Sequence, residues 1–218
     1  MKNLARLFYI LLVVSLVGCT VVSDQVTIHD ELVAAYQKAQ TDVMNANNTL
    51  FTAFTEINLQ VQLQTLFENA EIQRTEEYRK YLQAQQDFQA LMDAYNASGN
   101  QGDLAAMDQS GLSPEALSDG FTLYVNAFTE AQMIAVNEQT RINLQRTVSE
   151  KFNEITAASR TANESIQAYN TARIQLKDGR IAGEIANELG ITVLPSSLPL
   201  YSLGVAPALA PVPTLSTP

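Results

Sequence analysis

Few residues in this chain have the types and spacing that chemistry needs. Its 218 residues include one His, one Cys and no Trp. His29 stands beside Asp30, and imidazole is the side chain that titrates nearest neutrality. A lone His at the start of a helix reads as a solvated surface residue. Glu184 and Glu188 lie four apart and share a helix face. Paired carboxylates hydrolyse glycosides when held about 5–10 Å apart across a cleft. A narrow bundle offers no evident cleft, so these acids read as a solvated face, and Asp119 has no partner at useful spacing. Asn163 and Asn170 are one heptad apart beside an apolar seam, with Arg160 and Tyr169 nearby. They are either a polar recognition patch or, the favoured reading, interhelical hydrogen bonds that fix register. Tyr78, Tyr81 and Tyr95 read as core or rim rather than a ligand box. No phosphate-cradling Gly loop or dinucleotide motif is present. A His-containing triad or a His/Cys metal site would have to be built from almost nothing, so no catalytic residue and no metal site are assigned.

Charge narrows the field further. The net charge is −10, and no Lys/Arg cluster exists to bind phosphates, which argues against nucleic acid. The same acidity argues against a domain lying flat on anionic lipid. The two basic residues Lys2 and Arg6 precede an apolar run, Leu7 to Val17. A positive start, a short apolar stretch and small residues at the cut make a secretory signal. The run is too short to span a bilayer as a helix. Leu16-Val17-Gly18-Cys19 resembles the bacterial lipobox. That resemblance implies diacylglyceryl transfer to the Cys19 sulfur, cleavage between Gly18 and Cys19, and acylation of the new terminus. Two or three acyl chains anchor stably, at about 0.8 kcal/mol per buried methylene. No other cofactor is expected. Removing residues 1–18 leaves 11 basic and 23 acidic residues, a net −12. With no second Cys, an internal disulfide is impossible. Thr20 is not the Asp usually linked to inner-membrane retention.

The elements that position these residues are helices. Residues 19–27 read as a lipid-anchored tether, and Thr27 with Asp30 has the spacing of a capping box. From residue 28 to 97 there is no Gly or Pro. Leu32, Tyr36, Ala39, Val43, Ala46, Leu50, Ala53 and Ile57 form a heptad seam, which recurs as Tyr78, Tyr81, Phe88, Met92 and Tyr95. A kink or break is expected at Asn45–Thr49, where Asn and Thr compete with helical hydrogen bonds. Residues 96–120 read as a glycine-punctuated loop, with one helical turn at Ser113–Leu117. Phe121 to Asp178 reads as a second helix with a seam at Val148, Phe152, Ile155, Ser159, Ala162, Ile166, Tyr169, Arg173 and Leu176. Gly179 can stop it, and a short helix with Ile181, Ile185 and Leu189 follows. Residues 191–218 form a proline-rich, uncharged tail, which excludes a long helix or central strand. It is either a docking strip for an envelope partner or a disordered end or strap on the bundle, the latter favoured.

Glu130 to Arg173 resembles the C-terminal part of the LemA family. The matching residues are Glu130-Ala131, Leu144-Gln145, Ile155, Ala158, Arg160, Asn163-Glu164, Ile166 and Ala168-Tyr169-Asn170-Thr171-Ala172. Tyr36 falls where the family often has Trp. Phe51 and Met133 replace prolines of the family and predict straighter helices than usual, and Ala162 replaces a Tyr. The resemblance covers residues 28–178 and implies an all-helical, N-terminally anchored bundle outside the cytoplasm, with no assigned activity. Arg160, Asn163, Glu164, Tyr169 and Asn170 carry the family motif, read as structural.

The expectation is therefore an all-α protein, an antiparallel up-and-down bundle of long amphipathic helices over residues 28–190 with an extended proline-rich tail. It would sit lipid-anchored in the cell membrane or outer membrane, facing the periplasm or exterior. It would act as a non-enzymatic scaffold that binds an envelope protein or itself. The alternatives are an envelope enzyme or solute-binding lipoprotein with a polar pocket between helices, and a periplasmic holdase.

Overall fold

A computed structural model describes residues 2–63, 71–134, 138–175 and 194–201. The protein is all-α, a helical bundle with antiparallel packing. Helix α1 spans Lys2–Leu63. A 3-10 turn at Ile72–Arg74 leads into α2, Glu76–Ser98. Then come α3, Leu104–Gln109, α4, Pro114–Met133, and α5, Glu138–Gln175. Contacts divide the chain into two units: Met1–Lys38 with Gln167–Leu198, and Ala39–Ile166 with Pro199–Pro218.

The larger unit shows why these residues fold as they do. The α1 seam residues Ala39, Val43, Ala46, Leu50, Ala53 and Ile57 are all buried, as heptad spacing requires of one face. On α5, Val148, Ile155, Ser159, Ala162 and Ile166 are buried in the same way. Ser165 donates to Asp42 at 2.5 Å, and Lys151 bridges Glu56 at 2.5 Å. Fourteen residues back along α5 thus match fourteen forward along α1, which is antiparallel packing.

An aromatic core joins α1, α2 and α4. Phe54 lies 4.7 Å from Tyr124 and 5.0 Å from Phe88, edge-on in both cases. Phe88 also meets Phe121 at 5.5 Å, and Tyr81 meets Phe128 at 5.9 Å. Edge-to-face and tilted pairs suit the ring quadrupole and add about 0.5–1.5 kcal/mol each beyond burial. Two phenols of this core share one acceptor: Tyr124 and Tyr81 donate to Asn58 Oδ1 at 2.5 and 3.4 Å. Burial pushes the Tyr81 phenol up to about 12 and raises Tyr124 well above its ordinary value.

In the smaller unit, Leu32 of α1 and Tyr169 of α5 are buried. The Tyr36 ring stands 5.5 Å from that of Tyr169, tilted.

Several boundaries differ from those read off the sequence. Helix α1 is continuous from Lys2, through residues 19–27 and Thr27, so the tether and cap expected there are helical. It is also unbroken at Asn45–Thr49. Competition for backbone hydrogen bonds is relieved there: Asn47 is fully buried and spends its amide on Tyr95, while Thr49 Oγ1 donates to Asn45 O without opening the helix. The expected helix over 28–97 is instead two, because Thr75 starts α2. Its Oγ1 accepts from Tyr78 N at 3.3 Å, and Glu76 and Glu77 fill the first turn. The expected loop over 96–120 holds α3 and the start of α4. Ser113 caps Ala116 N at 3.1 Å, Pro114 opens the helix, and the helix runs straight through Gly120.

Gly120 is there for proximity: a Cβ would fall 2.6 Å from Leu91 Cδ1 and 3.2 Å from Phe88 Cδ2. Gly102 is needed twice over, with φ of 86° and a Cβ position 2.5 Å from Gln40 O. The second expected helix is also split, since α4 ends at Met133 with Ile134 as its cap and α5 starts at Glu138. The helix thus stops at Met133 even though the proline expected of the family is absent. The stop at Gly179 and the short helix over 181–189 lie outside the described residues.

Candidate functional site

The residues with most to do lie on α5. Its seam turns Ala162, Ile166 and Tyr169 inward. Asn163 and Asn170 each follow a seam residue, so they stand half-buried at its edge, seven apart. An Asn side chain carries one carbonyl and one NH2 in the arrangement of a peptide group. It can therefore exchange two hydrogen bonds with a stretch of main chain, as a neighbouring strand would.

Both asparagines do this, and the main chain they hold is the tail. In the smaller unit Asn170 Nδ2 donates to Leu198 O at 2.9 Å, and Leu198 N donates to Asn170 Oδ1 at 2.8 Å. Three residues earlier, Pro195 O accepts from the Tyr169 hydroxyl and from Arg173 Nε, the latter at 3.3 Å. A proline has no N–H to offer, so its carbonyl is the only main-chain handle. In the larger unit Asn163 Nδ2 donates to Tyr201 O at 2.9 Å, and Tyr201 N donates to Asn163 Oδ1 at 2.7 Å. The Tyr201 hydroxyl donates to Asn47 Oδ1 at 3.0 Å, and Asn47 Nδ2 reaches Tyr95 OH at 3.3 Å. Burial raises the phenols of Tyr201, Tyr95 and Tyr169, the last held back by the Arg173 charge.

The held residues are Pro195, Leu198 and Tyr201, one in three. Leu198 and Tyr201 are buried and Pro195 is half-buried, while Ser196, Ser197, Pro199 and Leu200 are exposed. A three-residue repeat is that of a polyproline-type chain, which advances about 9.3 Å per turn.

The sequence singled out Asn163, Tyr169 and Asn170, and within its own unit each bonds to tail main chain. That differs from the expected role, because their partner is tail main chain rather than a neighbouring helix. A tail lying as a strap describes residues 194–201. Arg160 and Glu164 are exposed, and none of the bonds to the strap described above is theirs. Asp119 is exposed, whereas Tyr81 and Tyr95 are buried and Tyr78 half-buried, as core and rim. Gly18 and Cys19 fall on the α1 backbone, and their side chains, with those of His29 and Asp30, lie outside the described residues, as do Glu184 and Glu188. Sequence reasoning missed Asn47, Asn58, Pro195, Leu198 and Tyr201; the one available signal was the three-residue spacing of the last three.

Elsewhere in the larger unit, both amide atoms of fully buried Gln132 have no hydrogen-bond partner among the described residues. The same holds for Arg141 Nε and Gln145 Oε1. Among the described residues no group of His, Cys, Asp and Glu could hold a metal ion, and no helix is long and apolar enough to cross a membrane. What the α5 face can do chemically is grip an extended polypeptide. No family model, no curated protein and no solved structure matches this chain.

Proposed function

We propose that this protein is a lipid-anchored helical module of the bacterial cell envelope, a divergent relative of the LemA family, that works as a non-enzymatic scaffold by binding another polypeptide. The observation that carries the reading is Leu16-Val17-Gly18-Cys19, with the chain's only Cys at the cut. Lipidation there would hold the bundle at a cell membrane or outer membrane, facing the periplasm or exterior. The α5 clamps support a binding role, since their chemistry is spent on main-chain atoms and none of it activates a nucleophile.

The test is a mass spectrum of the native membrane fraction, wild type against Cys19→Ala. A chain beginning at Cys19 with diacylglyceryl mass, lost in the variant, is the expected result. A chain retaining residues 1–18, or cut elsewhere and released, would contradict it. The solute-binding alternative has one observation in its favour, the buried Gln132 amide. It predicts that Gln132→Leu weakens binding of a small polar ligand in equilibrium dialysis.

A further inference from the structure

The geometry points to a binding site for a small α-amino acid at the end of the larger unit where α4 gives way to α5, lined by Gln132, Arg141 and Gln145. The inference goes beyond the scaffold reading and gives the solute-binding alternative its ligand.

Four unmatched atoms carry it. Buried polar side-chain atoms almost always have hydrogen-bond partners, because stranding one forfeits what water gave it. Among the described residues five atoms break that rule, and four of them belong to these three side chains: both amide atoms of Gln132, Arg141 Nε and Gln145 Oε1. Gln132 is fully buried and Gln145 is 4% exposed. The fifth, Ser159 Oγ, lies fourteen residues beyond Gln145 on the same helix.

The register of the two helices brings the four together. Phe121 of α4 meets Phe152 of α5 with ring centroids 5.6 Å apart, and Met133 Sδ stands 4.0 Å from Arg141 Nη1. Twelve residues forward on α4 thus match eleven back on α5. The same antiparallel register sets Gln132 level with Arg141, and Phe128 level with Gln145. Phe128 and Gln132 are one turn apart on α4, as Arg141 and Gln145 are on α5. Gln132 Oε1 could accept from Arg141 Nε at that level, yet the two do not bond. A group that offers both polarities satisfies both.

The chemistry of the four atoms names that group. Gln132 Nε2 and Arg141 Nε donate, and Gln132 Oε1 and Gln145 Oε1 accept. A carboxylate takes the two donors, and an ammonium serves the two acceptors. Arg141 is in the first turn of α5, where helix dipole and guanidinium both favour negative charge. Its own carboxylate partner, Glu138, stands off at 3.7 Å. An α-amino acid joins carboxylate and ammonium through one carbon and has no net charge, so a chain of net −10 does not repel it. All four atoms are closed to solvent, which limits the ligand to little more than the groups that bond them.

The test is calorimetric titration of the full-length chain with glycine, L-alanine and L-serine. At least one is expected to bind. Its half-molecules (for alanine, propionate and ethylamine) should bind at least about tenfold more weakly, since each leaves two of the four atoms unmatched. Gln132→Leu should weaken binding by a similar factor with an unchanged helical spectrum. It should also leave the unliganded chain no less stable in urea, because it removes a stranded amide. Should Gln132→Leu fail to fold, Gln132→Met keeps the unbranched shape without the amide.

Binding of none of the three amino acids would overturn the inference, leaving the four atoms to ordered water. A loss of stability in the folded Gln132 variant would overturn it too, since that amide would already be partnered within the fold. Propionate or ethylamine binding as tightly as alanine would keep solute binding and overturn the amino-acid class. Cys19→Ala should titrate as wild type does, so a failure of lipid anchoring and a failure of this site are read separately.

Discussion

The aromatic core of the larger unit and the asparagine clamps of α5 hold chain segments by opposite means. In the core, Phe54, Phe88, Phe121 and Tyr124 bury large rings against one another, and Asn58 only satisfies hydroxyls that burial has stranded. At the clamps the order is reversed: amides exchange two hydrogen bonds with a main chain, and few side chains go in with it. Apolar burial is non-directional and additive over area, so it fixes helices firmly. Hydrogen bonds exchanged with water return only about 0.5–1.5 kcal/mol each, but they specify register. The core is therefore held chiefly by buried area, and each clamp chiefly by the register of its hydrogen bonds.

The largest effect expected of a single change separates the two. Phe88→Ala should cost about 3–5 kcal/mol of global stability, read as a urea midpoint shift with all probes moving together. A shift confined to the strap would break the comparison. Alkali tests the same core without mutation. Burial raises the Tyr81 phenol to about 12 and Tyr124 also upward, against about 10 when unfolded. The neutral phenol is the form the fold favours. Its stabilisation is complete below about pH 10 and is lost as pH rises from there through about 12. Urea midpoints should fall across that window, alongside tyrosinate absorbance. A midpoint indifferent to pH there would sink the account of these phenols.

Asn163→Ala should cost about 1–3 kcal/mol, because it leaves the Tyr201 N–H and carbonyl without their partner. The loss should show as proteolysis near residue 201 with helix content intact. Global melting in step with the cleavage would erase the distinction drawn above. The smallest effect is Gly120→Ala. The nearest atom to its added methyl is the tip of the flexible Leu91 side chain, so the cost should be about 1 kcal/mol. A gain in stability would mean that Gly120 is not a close-packing residue.

Much of the helical framework was legible. Of the eight seam residues on α1, only Tyr36 is not buried, because a heptad stripe leaves a helix few other ways to bury its apolar groups. The breaks were harder. Thr75-Glu76-Glu77 carries a helix-start signal, but an apolar pattern on either side masked it. Gly120 looked like punctuation because a packing glycine and a breaking glycine are spelled the same way. Within the site, Asn163 and Asn170 announced themselves as amides on a seam. Their partner did not, since an uncharged tail has no hydrophobic period of 3.6 or 2 to place it. Its own period is three, visible only in Pro195, Leu198 and Tyr201.

The most direct test of the clamps is amide hydrogen exchange resolved by residue across 196–201. Leu198 and Tyr201 donate their N–H groups to Asn170 and Asn163. They should be protected while Ser197 and Leu200 exchange freely, with Asn170→Ala releasing Leu198 and Asn163→Ala releasing Tyr201. Uniform exchange across the segment, or protection that survives both substitutions, would contradict the account.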